Sequence, residues 1–515
     1  MTQPAGSANT LALMSLVAAL ASFAALQYVA FQIAGGVFQY PLDDPYIHMA
    51  IAEQMRAGGY GVNAGEYAAA ASSVLYPLLL IPFAGEAAQR FMPLVWNAVG
   101  LGLAGYFWGR ILWLSGYGAG RIGLLLALAG PLALHMVGLA FTGMEHALHL
   151  AASLAIVLGL IHLLDRGRIT PILVAAILLA PILRFEGLAL ALLAAGVVVC
   201  RGRIMAGIGL AALAVVPVVA FSLYLTSLGL DPMPSSITAK LATGPQDSTG
   251  SSSWIASKLS GLAGRPQQIL VVFLAVAAAL ALFRGVRHSP RVWLLVVGVL
   301  AGGAHVLFAK FGWMDRYEIY ILATLAAVTL AVAGISQIQM APLLPAAAML
   351  VSASFYVPLL ITEYPKTTRA IEFQQGQMAR FAKDFLKEPV AVNDLGLVVW
   401  QNPDYVLDLW GLANHEARRL RLSGTQAFWP DALAQDKNVS VAMVYARWFQ
   451  AGLGEDWVPL GTLRLRVRGT YLGAPHVQFF LTDDIDPAPY LALLKDWQAG
   501  LPQGAEFVFA EGIDG

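Results

Sequence analysis

The sequence predicts a polytopic α-helical membrane protein of about 11 spans carrying a C-terminal extracytoplasmic α/β domain. Three observations predict it. The chain of 515 residues is 58% hydrophobic and only 12% charged, against about 25% charged in an ordinary soluble domain. Its charges are unevenly placed, with 30 in the first 365 positions and 32 in the 150 from Lys366 onward. Apolar runs approaching the roughly 20 residues that a bilayer core requires recur as far as residue 361 and then stop. Residues 1–364 therefore read as a transmembrane module, with a first outer loop at about 34–91, and residues 365–515 as a soluble domain. This composition excludes a cytosolic enzyme, a disulfide scaffold and a disordered chain. Zero net charge without a basic run argues against nucleic acid as a partner. A single cysteine, Cys200, can form no intrachain disulfide.

The runs lie at approximately 11–33, 92–112, 122–141, 146–164, 170–183, 187–200, 204–228, 268–283, 292–309, 318–337 and 340–361. The fifth and sixth are short and are parted only by Arg184-Phe185-Glu186. Residues 74–84, with Pro77 and Pro82, are too short to span and read as re-entrant or interfacial. The first run is too long for a signal-peptide core and has no basic residue before it, so it reads as a retained span.

Orientation follows from Lys and Arg in the short loops. Alternate loops collect Arg110, Arg121, Arg166, Arg168, Arg201, Arg203, Arg284, Arg287 and Arg291 on one side, which is the expected cytoplasmic side. The N-terminus then lies inside. The first loop, the turns near 142–145, 184–186 and 310–317, the 229–267 segment and the C-terminal domain lie outside. The expected location is the plasma (inner) membrane, crossed many times.

Beyond the last run, Ile371, Met378, Phe381 and Phe385 recur at helical spacing and predict an amphipathic helix over about 367–387. Short β-like runs follow at 389–392, 439–445 and 478–481. The 242–254 stretch is polar and Gly/Ser-rich and reads as a mobile loop. No internal repeat is visible.

The unusual residues sit in the outer loops. Asp43 and Asp44, followed by Tyr46 and His48, open a helix just after the first span. Adjacent carboxylates at the mouth of a bundle suit a general base, because desolvation and like charge shift proton affinity. The same pair suits a helix N-cap, with Asp44 capping and Pro45 at the first helical position. Capping by Asp44 would leave Asp43 to face the cavity. Glu145, His146 and His149 share helix faces and could ligate a metal, but no fourth ligand has a recognisable spacing, and a substrate-facing polar cluster fits better. Arg184 and Glu186 form either an internal ion pair or the polar wall of a cavity. Lys240 on the longest outer loop and Arg316 beside Trp313 and Tyr317 suit phosphate, Arg316 by bidentate contact. Charge counting places all of these on one face. That clustering suggests a lipid-borne, phosphorylated substrate.

In this order the residues resemble the GT-C superfamily of polyprenyl-phosphate-sugar-dependent membrane glycosyltransferases. The similarity covers most of the chain and is greatest to the branch containing terminal arabinofuranosyltransferases of the mycobacterial type. It is carried by Asp43-Asp44-Pro45-Tyr46-Ile47-His48, the Gly-rich Gly58–Glu66 segment, Ser72–Pro77, Gly143-Met144-Glu145, Arg184-Phe185-Glu186-Gly187 and Pro232–Lys240. In the C-terminal domain Asp394-Leu395-Gly396 and Leu407–Leu412 carry it. Two places depart: Phe185 replaces a proline, and Lys310-Phe311 stand where relatives often have Gly-Gly-Asp. The resemblance implies an inverting transfer of sugar from a polyprenyl-phosphate donor to a cell-envelope glycan, lipid or protein acceptor. One aspartate of the pair would act as base, and Lys240, Arg316 and Arg184 would hold the donor phosphate. Tyr46, His48, Glu145, His146, Glu186 and Trp313 would line the substrate cavity. The resemblance fixes no cofactor, and a divalent cation is compatible with it. The other class considered is a transporter or flippase of a lipid-linked saccharide. Alternating access predicts paired broken helices in two halves, and none is visible in the sequence.

Overall fold

The computed structural model describes residues 5–118, 120–236, 263–336, 340–424, 426–449, 452–466, 471–483 and 485–512. The loop expected at 242–254 and Lys240 lie outside them. Each of the eleven apolar runs is helical. Ala5–Ile33 and Met92–Leu114 pack along each other, and His146–Arg166 lies against the second of these. The run 122–141 is two helices, Arg121–Ala133 and Met136–Phe141. Pro131 interrupts the bonding of the first, and His135 between them takes a left-handed φ of 56°.

Helices His146–Arg166 and Ile319–Ala333 form the centre, the second buried at every residue. Hydrophobic on all sides, they need neighbours all round. Ile204–Ser227 lies at the rim, with only 17% of its most apolar stretch buried. By length and composition, Asn9–Ile33, His146–Arg166, Ile204–Ser227 and the run Leu343–Leu386 are long and apolar enough to cross a membrane. Arg121–Ala133, Pro171–Leu183, Gly187–Cys200, Arg265–Ala281, Val292–Phe308 and Ile319–Ala333 are apolar but shorter.

The C-terminal domain begins with helices Tyr364–Phe373 and Gln375–Arg380, continued by a π-helical turn Phe381–Leu386. A mixed six-stranded sheet follows, made of β1 (Val390–Val392), β2 (Val406–Asp408), β3 (Val441–Val444), β4 (Val458–Leu465), β5 (His476–Leu481) and β6 (Ala505–Phe509). The strand order is β2-β1-β3-β5-β4-β6. β1 runs parallel to both β2 and β3, whereas β5, β4 and β6 join antiparallel. The three parallel strands are buried throughout, as helices on both faces require.

This domain is seated on the first loop. One hydrophobic core contains Tyr40, Tyr46 and Tyr76 from the loop with Trp400, Val441 and Phe479 from the domain. The Asn63 side-chain amide donates to the Val406 carbonyl and accepts from the Val406 N–H, both at 3.0 Å, so it pairs with edge strand β2 as another strand would. Trp400 Nε1 donates to Gln89 at 2.9 Å.

Candidate active site between the helical module and the C-terminal domain

A cavity of about 390 Å³ lies between the two parts. From the helical module it is lined by Asp43, Asp44, Ile47, Lys310, Phe311, Trp313, Arg316 and Tyr317. From the C-terminal domain come Asn393, Asp394, Leu395, Trp410, Leu412 and Trp448.

The helix Asp44–Arg56 starts at Asp44, with Pro45 in its first turn, where a missing N–H costs nothing. Asp43 holds the N-cap position, but its carboxylate turns to the C-terminal domain. Oδ2 accepts the Gly396 N–H at 2.6 Å, and Oδ1 accepts the Leu397 N–H at 2.8 Å. Asp44, by contrast, accepts from Arg316, Nη1 at 3.1 Å and Nη2 at 3.4 Å. The capping position expected of Asp44 is therefore corrected, since Asp43 holds it. Asp43 is the tethered member, and Asp44 is engaged by a guanidinium rather than assigned to its helix end. Burial, and then the charge of Asp394, push the Asp43 carboxyl up to about 8, although both backbone N–H groups oppose this. For Arg316 burial disfavours the cation, but Asp44 outweighs it and holds the guanidinium above the ordinary arginine range.

Arg316 reaches Asp44 through an unusual turn. Gly312, Trp313, Met314 and Asp315 all have positive φ, at 79°, 49°, 59° and 48°. A left-handed residue with a Cβ costs roughly 1–2 kcal/mol, so the surroundings must hold the turn. The Gly312 N–H donates to Glu318 at 3.1 Å, Tyr364 donates to the Met314 carbonyl at 2.7 Å, and Tyr471 donates to Asp315 at 3.3 Å. Trp313 emerges from the turn 45% exposed, at the cavity.

A second cavity of about 440 Å³ adjoins the first, and Lys310 and Tyr317 line both. Its polar lining includes Arg184, Glu186, Ser72 and His305, and much of the rest is apolar, with Leu188, Leu192, Ala301 and Phe308. Arg184 is committed to two carboxylates, Nη1 to Glu145 at 2.7 Å and Nη2 to Glu186 at 2.6 Å. Burial would raise Glu186, but Arg184 prevails and holds it at about 2. Burial likewise works against ionised Glu145, and Arg184 with His48 brings it below the usual carboxylate range.

The other expected residues divide. Lys240 lies outside the described residues. Glu186 lines the second cavity as expected. His48 lines neither of these two cavities but a small space of about 20 Å³, shared with Asp44 and Ser72. Glu145 is fully buried, bonded to Ser72 at 2.7 Å as well as Arg184, and it anchors the cavity wall from behind. His146 is buried with its ring against Tyr317, at 5.8 Å between centroids. Tyr46 is fully buried, donates to Gln39 and packs on Trp400, so it belongs to the core beneath the site, not to the cavity. The turn before Glu145 is held by Gly143 (φ 76°), where an added Cβ would stand 2.4 Å from the Tyr40 ring.

Lys310, Asp394, Trp410 and Trp448 line the cavity and were not expected in the site. A signal existed for Asp394, which stands two residues past the β-like run 389–392. Among the described residues no three of His, Cys, Asp and Glu are grouped so as to hold a metal ion. Carboxylates, two cations and three indoles around one space can accept a hydroxyl proton, hold an anion and pack on sugar rings.

The family model of a domain of unknown function, DUF8728, matches residues 366–480, which include β1 to β4 and all of β5 but Leu481. No curated protein matches the chain.

Proposed function

We propose that this protein is an inverting glycosyltransferase of the plasma membrane. It moves a sugar from a polyprenyl-phosphate donor to a cell-envelope glycan, lipid or protein acceptor at the outer face. The carrying observation is the pair of adjoining cavities, one bearing the carboxylates Asp43, Asp44 and Asp394, the other more apolar, with Lys310 and Tyr317 shared between them. The apolar one suits the first units of a polyprenyl chain. Lys310 then meets the donor phosphate, with Arg316 behind it, and the sugar projects toward the carboxylates. Arg184, already neutralised by two carboxylates, shapes the wall rather than binding phosphate.

Membrane embedding is supported by the apolar rim. Met205, Leu223, Leu350 and Ile361 are 80%, 65%, 72% and 66% exposed, a density of exposed large apolar groups that aqueous surfaces rarely carry. All eleven apolar runs belong to the membrane module in this reading, the shorter helices completing the bundle. The arginine asymmetry puts the N-terminus in the cytoplasm and the C-terminal domain outside.

Asp43 is the base in this mechanism. It takes the proton of the acceptor hydroxyl as that oxygen forms its bond to the anomeric carbon. The bond from that carbon to the phosphate oxygen breaks on the opposite face, and its electron pair leaves with the phosphate. Asp44, held by Arg316, orients the attacking group. The leaving group is already good, so positioning and phosphate neutralisation do much of the work. The test is transfer by purified protein from a panel of synthetic polyprenyl-phosphate sugars. Transfer from at least one donor, lost in Asp43→Asn, is expected; no transfer from any of them overturns the reading.

A further inference from the structure

The C-terminal domain contributes more than a cover. In the order β2-β1-β3 the chain leaves β1 toward one side to form β2 and returns past it to form β3. Open parallel sheets bind ligands outside the carboxyl ends of their strands, at the point where strand order reverses. Asp394 follows the end of β1 by two residues, Trp410 the end of β2 by two, and Trp448 the end of β3 by four. All three line the 390 Å³ cavity. The crevice of this sheet therefore opens onto Asp43 and Asp44.

Its lining is prepared for a ligand. Trp410 and Trp448 lie 4.7 Å apart between ring centroids. Arg421 fixes Trp410, with its guanidinium carbon 3.8 Å from the ring centroid and its Nε donating to the Trp410 carbonyl at 3.0 Å. The Asp394 carboxylate is oriented through a single oxygen, Oδ2, which accepts from Gln375 and from the Tyr445 hydroxyl, both at 2.8 Å. Both cations of the lining, Lys310 and Arg316, come from the helical module, where Asp43 and Asp44 stand beside them, and among the described residues the C-terminal domain adds no cation to it. An anionic group is drawn to the first side, which leaves the second to a neutral polyol.

We propose that the crevice at the ends of β1, β2 and β3 is the acceptor subsite, and that it takes a neutral saccharide whose ring packs on Trp410 and Trp448 while a hydroxyl donates to Asp394. The word acceptor rests on the transferase reading; the saccharide site stands on the sheet and its lining. Indole faces match the C–H face of a sugar ring, and a carboxylate is the strongest acceptor for its hydroxyls.

The test uses the full-length protein in nanodiscs without any donor. Neutral tetrasaccharides of arabinan, mannan, glucan and galactan are titrated by tryptophan fluorescence and saturation-transfer NMR. At least one is expected to bind, and Asp394→Asn and Trp448→Ala should each weaken it about tenfold or more, as loss of one charge-assisted hydrogen bond or one stacked ring does. Asparagine keeps an oxygen for Gln375 and Tyr445, and Trp448→Phe serves if the alanine variant misfolds. Absence of binding to all four, or equal binding by wild type and variants, overturns the subsite. Saccharide binding by a wild type that transfers no sugar keeps the subsite and removes the transferase. Transfer with unchanged acceptor KM in both variants does the reverse.

Discussion

Asp43 and Gly396 are joined across the two halves of the protein. The carboxylate of the first accepts the backbone N–H of the second at 2.6 Å. An added Cβ on Gly396 would stand 2.1 Å from the Asp43 carbonyl oxygen, so the glycine is required by proximity. Gly396→Ala should therefore push the C-terminal domain off the first loop, at about 1–3 kcal/mol for overpacking. A lower melting temperature and faster proteolysis after residue 365 are the expected readings; an unchanged melt would show that the contact yields freely.

Asp43→Asn should lower transfer by 10²–10⁴, the usual range for a lost general base, with donor binding retained. Asparagine supplies one acceptor oxygen where two N–H groups need partners, so about 1 kcal/mol of stability should go as well. Steady-state transfer beside donor binding measures the split. Near wild-type turnover in this variant would remove Asp43 from the chemistry.

Asp44→Asn should damage stability more than loss of a helix cap. Arg316 is 2% exposed, and its guanidinium would keep its burial while losing the anion that offsets it. Breaking a buried pair typically costs about 3–5 kcal/mol. The open side of Asp44, whose side chain is 26% exposed, places this case toward the lower end. Asp44→Asn combined with Arg316→Gln should recover part of the loss, and a double-mutant cycle on thermal or denaturant unfolding checks it. Strict additivity would mean that the two residues do not interact.

The pH dependence of transfer should follow the Asp43 carboxyl. A base works unprotonated, and this group sits at about 8 through burial and the Asp394 charge. The rate should climb with pH, close to tenfold per unit below that value, and level off above it. The limb belongs to the two interacting carboxyls together. Asp394→Asn removes one of the charges that raise Asp43, so the limb should move to lower pH, whatever the variant does to acceptor affinity. Profiles of kcat/KM for both proteins measure this, and a flat wild-type profile from pH 6 to 9 counts against Asp43.

Glu145→Gln should leave Arg184 facing Glu186 alone. Both Glu145 and Arg184 are buried, and the pair closes at 2.7 Å. Loss of about 3 kcal/mol is expected, together with a weaker grip on donors that have long lipid chains, because Arg184 lines the more apolar cavity. Equal affinity for short and long polyprenyl donors in the variant would detach that wall from the lipid.

Much of the architecture was legible because it rests on local patterns. Ten of the eleven apolar runs became single helices within a few residues of their expected bounds, and 122–141 became two, since composition and period act over one segment at a time. The runs at 389–392, 439–445 and 478–481 became β1, β3 and β5. The grouping of loop motifs also held in part: Asp43, Asp44, Trp313 and Arg316 do line one cavity. Tyr46 failed as a cavity residue because nothing local distinguishes a tyrosine whose hydroxyl is satisfied inside a core from one that faces a ligand. Trp410 and Trp448 were missed because strand order, which makes the ends of β1, β2 and β3 neighbours, is a long-range property.

The sequence by itself determined where the apolar helices and the strands β1, β3 and β5 form, and that the polar chemistry gathers between apolar segments. Only the tertiary structure decided the fate of two adjacent aspartates. Arg316, 272 positions away, comes to Asp44, and Gly396, 353 positions away, comes to Asp43. A carboxylate's proton affinity is set by burial and by the charges and donors within a few ångströms, and for both residues the decisive partners arrive from the far end of the chain.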